Sequence, residues 1–158
     1  MENIKINFLD KASVQSILKN LDKKAKPEWG NLTPQHMIEH LSSTIRYSNG
    51  KTKNKLYIPK EHLEKYQSVL FADQDFPKFF KSPVFEKDLP KLNTNSIKEA
   101  TEELLTEIEI FKSRFSGKEN EREMHPIFGE LNYKEWLIYH NKHFQHHFQQ
   151  FNLMKEEK

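Results

Sequence analysis

Cysteine is absent from the 158 residues. That removes disulfides, thiolate metal sites and cysteine nucleophiles from consideration. Long apolar runs are missing as well. No stretch approaches the ~18 consecutive apolar residues that a membrane span needs. Met1 to Asp10 carries charges and has no apolar segment of its own, so no signal peptide is expected there. Charge of one sign is also lacking: Lys plus Arg number 25 against 23 acids. A net charge of +2 is too balanced to point to nucleic acid. Neither a Ser-His-Asp arrangement nor a phosphate-binding loop is visible. The reading is one domain over residues 1–158, cytoplasmic, with no membrane and no nucleic acid as partner.

Only 35% of the chain is hydrophobic, so the core must be economical, and 12 Phe, 5 Tyr and 2 Trp supply much of its bulk. The residue in excess is histidine, with 8. His140, His143, His146 and His147 fall within eight residues and interleave with Phe. This cluster is the feature most apt to report chemistry.

Helical periodicity dominates. The spacing predicts four main helices, near residues 11–24, 34–47, 97–115 and 133–154. Asp10 caps the first, with Val14, Ile17, Leu18 and Leu21 on one face. Thr33 caps the second, Pro34 sits at its first position, and Leu32 with Met37 forms a hydrophobic staple. Ser96 and Glu99 form a capping box for the third, whose stripe runs Ile97, Ala100, Leu104, Ile108, Phe111 and Phe115. Asn132 and Glu135 repeat the box for the fourth, with Leu131 and Trp136 as staple. Trp29-Gly30-Asn31-Leu32-Thr33 parallels Phe128-Gly129-Glu130-Leu131-Asn132, which reads as convergent capping, not an internal repeat. Residues 48–95 are broken by Pro59, Pro77, Pro83 and Pro90, with a helical stretch near Glu61 to Phe71. They read as a crossover between helix pairs. Ile4-Lys5-Ile6 alternates but is too short to establish a strand. The fold expected is all-α, a four-helix bundle with a long crossover between helices two and three.

Neutral imidazole is a ligand for zinc and related divalent metals, and residues three or four apart on a helix give a suitable bite. The last helix offers His140 with His143, His143 with His146, and His143 with His147. His143 belongs to all three pairs. His147 lies within the apolar arc and His146 outside it, so His143 and His147 are the preferred pair. A third ligand must come from another helix. On the second, His40 borders the arc of Met37, Leu41 and Ile45, and His36 lies farther from it. His62 and His125 are weaker candidates. A buried histidine also serves as an ordinary hydrogen-bonded core residue, so spacing alone leaves that reading open.

The segment Trp29-Gly30-Asn31-Leu32-Thr33-Pro34-Gln35-His36-Met37-Ile38-Glu39-His40-Leu41 resembles the opening motif of the DinB/YfiT-like superfamily. His143-Phe144-Gln145-His146-His147-Phe148-Gln149-Gln150-Phe151 resembles its closing His-x-x-x-His motif. With His125-Pro126, Phe128-Gly129, Leu131 and Trp136, the order of elements resembles a branch of short bacterial proteins that brings no activity of its own to carry over. The resemblance implies a four-helix bundle with a divalent metal, zinc or nickel, held by His40, His143 and His147. Relatives of that kind include S-transferases and isomerases that use low-molecular-weight thiols. His36, His140 and His146 are additions near the motifs, expected as supporting donors or alternative ligands, with His140 a reserve for His147.

Three functions follow as expectations. The first is a metal-dependent enzyme, a thiol-dependent S-transferase or hydrolase, acting on a small-molecule substrate and with a homodimer among its expected assemblies. The second is a non-catalytic metal-binding or stress-response module. The third is a helical interaction protein with histidines in its core. No general base is named, since Glu39 adjoins His40 but points elsewhere on the helix.

Overall fold

Residues 6–78 and 89–155 are described by a computed structural model. Pro83 and most of the Ile4-Lys5-Ile6 alternation lie outside the described residues. Helix α1 spans Lys11–Leu18, with the Asp10 carboxylate accepting from the Ser13 N–H. It stops well short of residue 24. Asn20 and Leu21 donate three residues back, to Ile17 and Leu18, and the Asp22 side chain accepts from the Lys24 N–H. Those local bonds compete with helix continuation. Leu21 is still buried, from a turn.

Helix α2 spans Pro34–Ser48, capped by Thr33. A 3₁₀ turn at Lys60–His62 leads into α3, Leu63–Phe71. Helix α4 spans Ile97–Phe115, with Ser96 as its cap. Helix α5 spans Tyr133–Gln150 and carries the full Asn132–Glu135 capping box. It ends before 154 because Asn152 takes the left-handed conformation, φ 58°. Leu153 N–H then reaches the Phe148 carbonyl at 2.7 Å and Asn152 N–H reaches Gln149 at 3.0 Å. These two bonds make a Schellman stop.

A short antiparallel hairpin joins α4 to α5 and was not expected from the sequence. Strand β1, Glu123–His125, pairs with β2, Gly129–Leu131. The His125 Nδ1 accepts from the backbone N–H of Ile127 and Phe128, which closes the loop. Gly129 has φ 82° and Gly30 has φ 78°. The two parallel sequence segments therefore share a positive-φ turn before a capped helix, as convergent capping requires.

The fold is mostly helical with this one small sheet among the described residues. Helix α4 packs on α1 and α2, α5 packs on α2 and α3, and the hairpin packs on α2 and α5. Met37, Leu41, Ile45, Leu104, Ile108, Phe111, Phe115, Trp136, Phe144 and Phe148 are essentially fully buried at the centre. Phe8 joins them, its ring 5.3 Å from Phe111 and 5.5 Å from Phe144. Large rings let few apolar residues fill the interior. Among the described residues no helix is long and apolar enough to cross a membrane.

The described parts of 48–95 are fastened on both sides. The Lys142 Nζ donates to the carbonyls of Val69, Leu70 and Ala72 at the end of α3. Gln145 and Gln149 donate to the Asp75 carboxylate. On the return, Glu39 accepts from Asn93 and Thr94. Phe111→Ala should cost ~3–5 kcal/mol of stability, since it removes a ring where α4 meets α5 and Phe8 of the segment before α1. Tyr57→Ala, at a side chain 54% exposed, should stay within ~0.5 kcal/mol. Urea unfolding of both variants checks the contrast. Equal losses would mean the core is elsewhere.

Candidate metal centre

Helices α2 and α5 face each other along a line of polar side chains. Ser48 Oγ lies 2.7 Å from His140 Nε2. Thr44 Oγ1 lies 3.3 Å from His143 Nδ1. His40 Nε2 lies 3.0 Å from His143 Nε2, and His147 Nε2 lies 3.0 Å from the same atom. Positions 40, 44 and 48 rise along α2 as 147, 143 and 140 descend along α5, so the helices run antiparallel here. One nitrogen from each of His40, His143 and His147 lies within 4.8 Å of the others. The structure thus brings together the three histidines that spacing and resemblance had singled out. A three-His group of this kind could hold a metal ion.

The chemistry of the donors fits. A ring nitrogen carries either one hydrogen or one lone pair, so His143 Nε2 can make one ordinary hydrogen bond. It has two nitrogen neighbours at 3.0 Å. A cation between the rings resolves that surplus of lone pairs. The rings are also in the ligating charge state. Burial pushes the His40 imidazole down to about 4, with charge repulsion from His146 adding to it. Burial first, and then the neighbouring imidazoles, holds His143 and His147 well below 6.5. His143 and His147 are 8% and 7% exposed. His40 is the most accessible of the three and forms the outer edge of the group.

The remaining histidines stand apart. His36 is tied between Thr33 Oγ1 and the Pro90 carbonyl, at 2.6 and 2.9 Å, and pins the returning crossover to α2. His125 closes the hairpin loop. His62 sits exposed at the start of α3. His140 is no reserve for His147. It is fully buried, its Nε2 is turned to Ser48, and its ring stacks on Trp136 at 5.3 Å. The cause is distance along the helix: two turns, about 10 Å, separate positions 140 and 147. His146 lies beside the group but outside it, its ring 5.4 Å from Trp29 and 5.0 Å from His147. Glu39 is spent on Asn93 and Thr94. Burial acts to raise its pKa, but the bonds from Thr94 and Asn93 prevail and lower it.

Sequence reasoning passed over the residues behind the ligands. Gln150 Oε1 lies 2.7 Å from His147 Nδ1. The Tyr139 ring stacks on His143, 5.2 Å away at 24°, and its hydroxyl bonds Thr44. Burial raises the Tyr139 pKa and keeps the phenol neutral. Helical spacing carried one signal for these residues: Tyr139 stands four before His143, and Gln150 three after His147.

Residues 90–154 match a family described as "Protein of unknown function (DUF1569)". The match runs from the return of the crossover through α5. It includes His143 and His147 and stops short of His40. No curated protein and no solved structure matches the chain.

Desolvated imidazoles make stability depend on pH in a definite direction. The folded values lie below 6.5, so the stabilisation is complete above pH 6.5 and is lost as pH falls toward about 4 for His40 and about 3 for His140. The unfolded chain binds more protons in that window, so unfolding becomes easier by up to ~1.4 kcal/mol per pH unit for the fully buried His140, and by less for His40, whose ring solvent partly screens. Urea midpoints of chelator-treated protein at pH 7, 6 and 5 should fall in that order. A flat profile would mean that the rings are hydrated.

Proposed function

We propose that this chain is a divalent-metal protein of the DinB/YfiT-like kind. In this reading α1, α2, α4 and α5 form a four-helix bundle, and His40, His143 and His147 hold zinc or nickel. The observation that carries it is the convergence of three neutral imidazole nitrogens, two of the contacts at 3.0 Å, with His40 lying 103 residues from His143 in sequence. The opening and closing motifs support the superfamily. Two rings on one helix give a rigid bite, and His40 ties the second helix to it.

The reaction we favour is thiol-dependent S-transfer or hydrolysis on a small molecule. A divalent ion with three imidazole ligands supplies Lewis acidity that lowers the pKa of a thiol or water reaching it. The protein's part is to keep the rings neutral and to leave the His40 edge accessible. A second reading, a non-catalytic metal-binding or stress-response module, is favoured by one observation. Among the described residues no carboxylate joins the three-His group, and Glu39 is engaged elsewhere.

Elemental analysis of protein purified without a His-tag tests the metal. A thiol-dependent turnover assay separates the two readings. His143→Ala should lose the metal and with it the thermal shift that a chelator produces in the parent. His40→Ala and His147→Ala should follow, while His146→Ala should retain near-parental metal. Full metal and full chelator response in His143→Ala would sink the three-His site.

A further inference from the structure

The Trp29-Gly30 pair reads in the sequence as an anchor and turn ahead of α2. In the structure it also grips the end of α5. The Glu28 N–H donates to the Gln150 carbonyl at 2.7 Å. The Gln150 Nε2 donates to the Trp29 carbonyl at 2.8 Å. A Cβ on Gly30 would stand 3.0 Å from that same Nε2, so glycine leaves the room that the amide occupies. Asn152 and the Glu28 carboxylate close the clasp on its outer side.

These bonds fix which end of the Gln150 amide is which. The nitrogen faces the Trp29 carbonyl, so the oxygen faces His147 Nδ1 at 2.7 Å. An amide oxygen only accepts. The Nδ1 must therefore carry the hydrogen, and the lone pair of a neutral His147 is left on Nε2, pointing into the group. Thr44 acts the same way on His143. Its hydroxyl hydrogen goes to the Leu41 carbonyl at 2.9 Å, so toward His143 Nδ1 it offers a lone pair. Both α5 rings then present bare Nε2 atoms 3.0 Å apart.

We propose that Gln150, held by the Trp29-Gly30 loop, is the positioning residue that locks His147 in its Nδ1–H tautomer and so keeps a lone pair aimed at the ion site before any ion arrives. The proposal rests on the metal reading for its purpose but not for its geometry. It links the loop ahead of α2 to a ligand on α5 across 121 residues of sequence. The clasp costs no charge and is already formed, which is how a ligand ring is preorganised.

The test has two arms. In metal-free, ¹⁵N-labelled parent protein, long-range proton–nitrogen correlation should show His147 protonated at Nδ1. In Gln150→Met a mixture with the Nε2–H tautomer should appear. Zinc affinity, measured by competition with a chromophoric chelator, should weaken roughly 10–100-fold in Gln150→Met. Gln150→Glu restores an acceptor opposite Nδ1 but sets an oxygen against the Trp29 carbonyl, so it should recover only part of that loss. A parent His147 protonated at Nε2 overturns the proposal without any variant. So does a folded Gln150→Met that binds zinc as the parent does. A parent that shows the Nδ1–H tautomer yet takes up no zinc supports the lock and overturns the metal reading instead.

Discussion

The antiparallel contact between α2 and α5 is the constraint on which the rest of the site depends. Core helices ordinarily meet through apolar side chains, and here the central line is polar. Ser48 meets His140, Thr44 meets His143, and His40 meets His143 and His147. Each step is one helical turn, so shifting either helix by a turn would break every pair at once. Buried polar groups are costly when unpaired and specific when paired. The ladder therefore fixes the register of two helices that flanking Phe residues alone would fix less sharply.

The ladder is not uniform along its length. At the His140 end Ser48 donates to the Ile45 carbonyl and accepts from the ring, Phe8, Phe111 and Trp136 surround it, and the buried Nδ1 has no hydrogen-bond partner. At the other end the same kind of residue is arranged so that nitrogens face nitrogens. Three imidazoles set edge to face, their ring nitrogens converging on one point, are an arrangement that packing alone does not call for. The direction of the ring nitrogens, toward Ser48 for His140 and toward one another for the other three, separates a structural histidine from a candidate ligand more clearly than burial does, since His140, His143 and His147 are all buried.

Much of this was legible in the sequence, for local reasons. The starts of α2, α4 and α5 carry side-chain caps whose partners lie three residues away, and Thr33, Ser96 and Asn132 each mark a start to the residue. Ends were harder. The α1 stop rests on an Asp22 turn, and the α5 stop on a left-handed Asn152, neither of which breaks apolar periodicity. The hairpin escaped notice because three-residue strands hold too little alternation to register. Pro126 and Gly129 around Ile127 and Phe128 were its only local mark. The grouping of His40, His143 and His147 was legible because helical spacing fixes direction and the motif resemblance, the stronger ground, named the same three. The role of His140 was not, because its partner, Ser48, is 92 residues away.

The residues between the histidines explain why no general base is evident nearby. Along α2, His36 and Glu39 alternate with the inward positions and hold Pro90, Asn93 and Thr94. Along α5, Gln145 and Gln149 do the same for Asp75. The crossover is thus moored to both helices that carry the three-His group, by the side chains next to its members. If Glu39 served proton transfer instead, the Asn93 and Thr94 N–H groups would lose the acceptor that the described contacts give them. Glu39 accepts from two backbone donors and one hydroxyl, and its lowered pKa follows from those bonds prevailing over burial. It is therefore an anchor. A metal centre of the kind proposed would leave proton transfer to an ion-bound group or to the molecule it acts on.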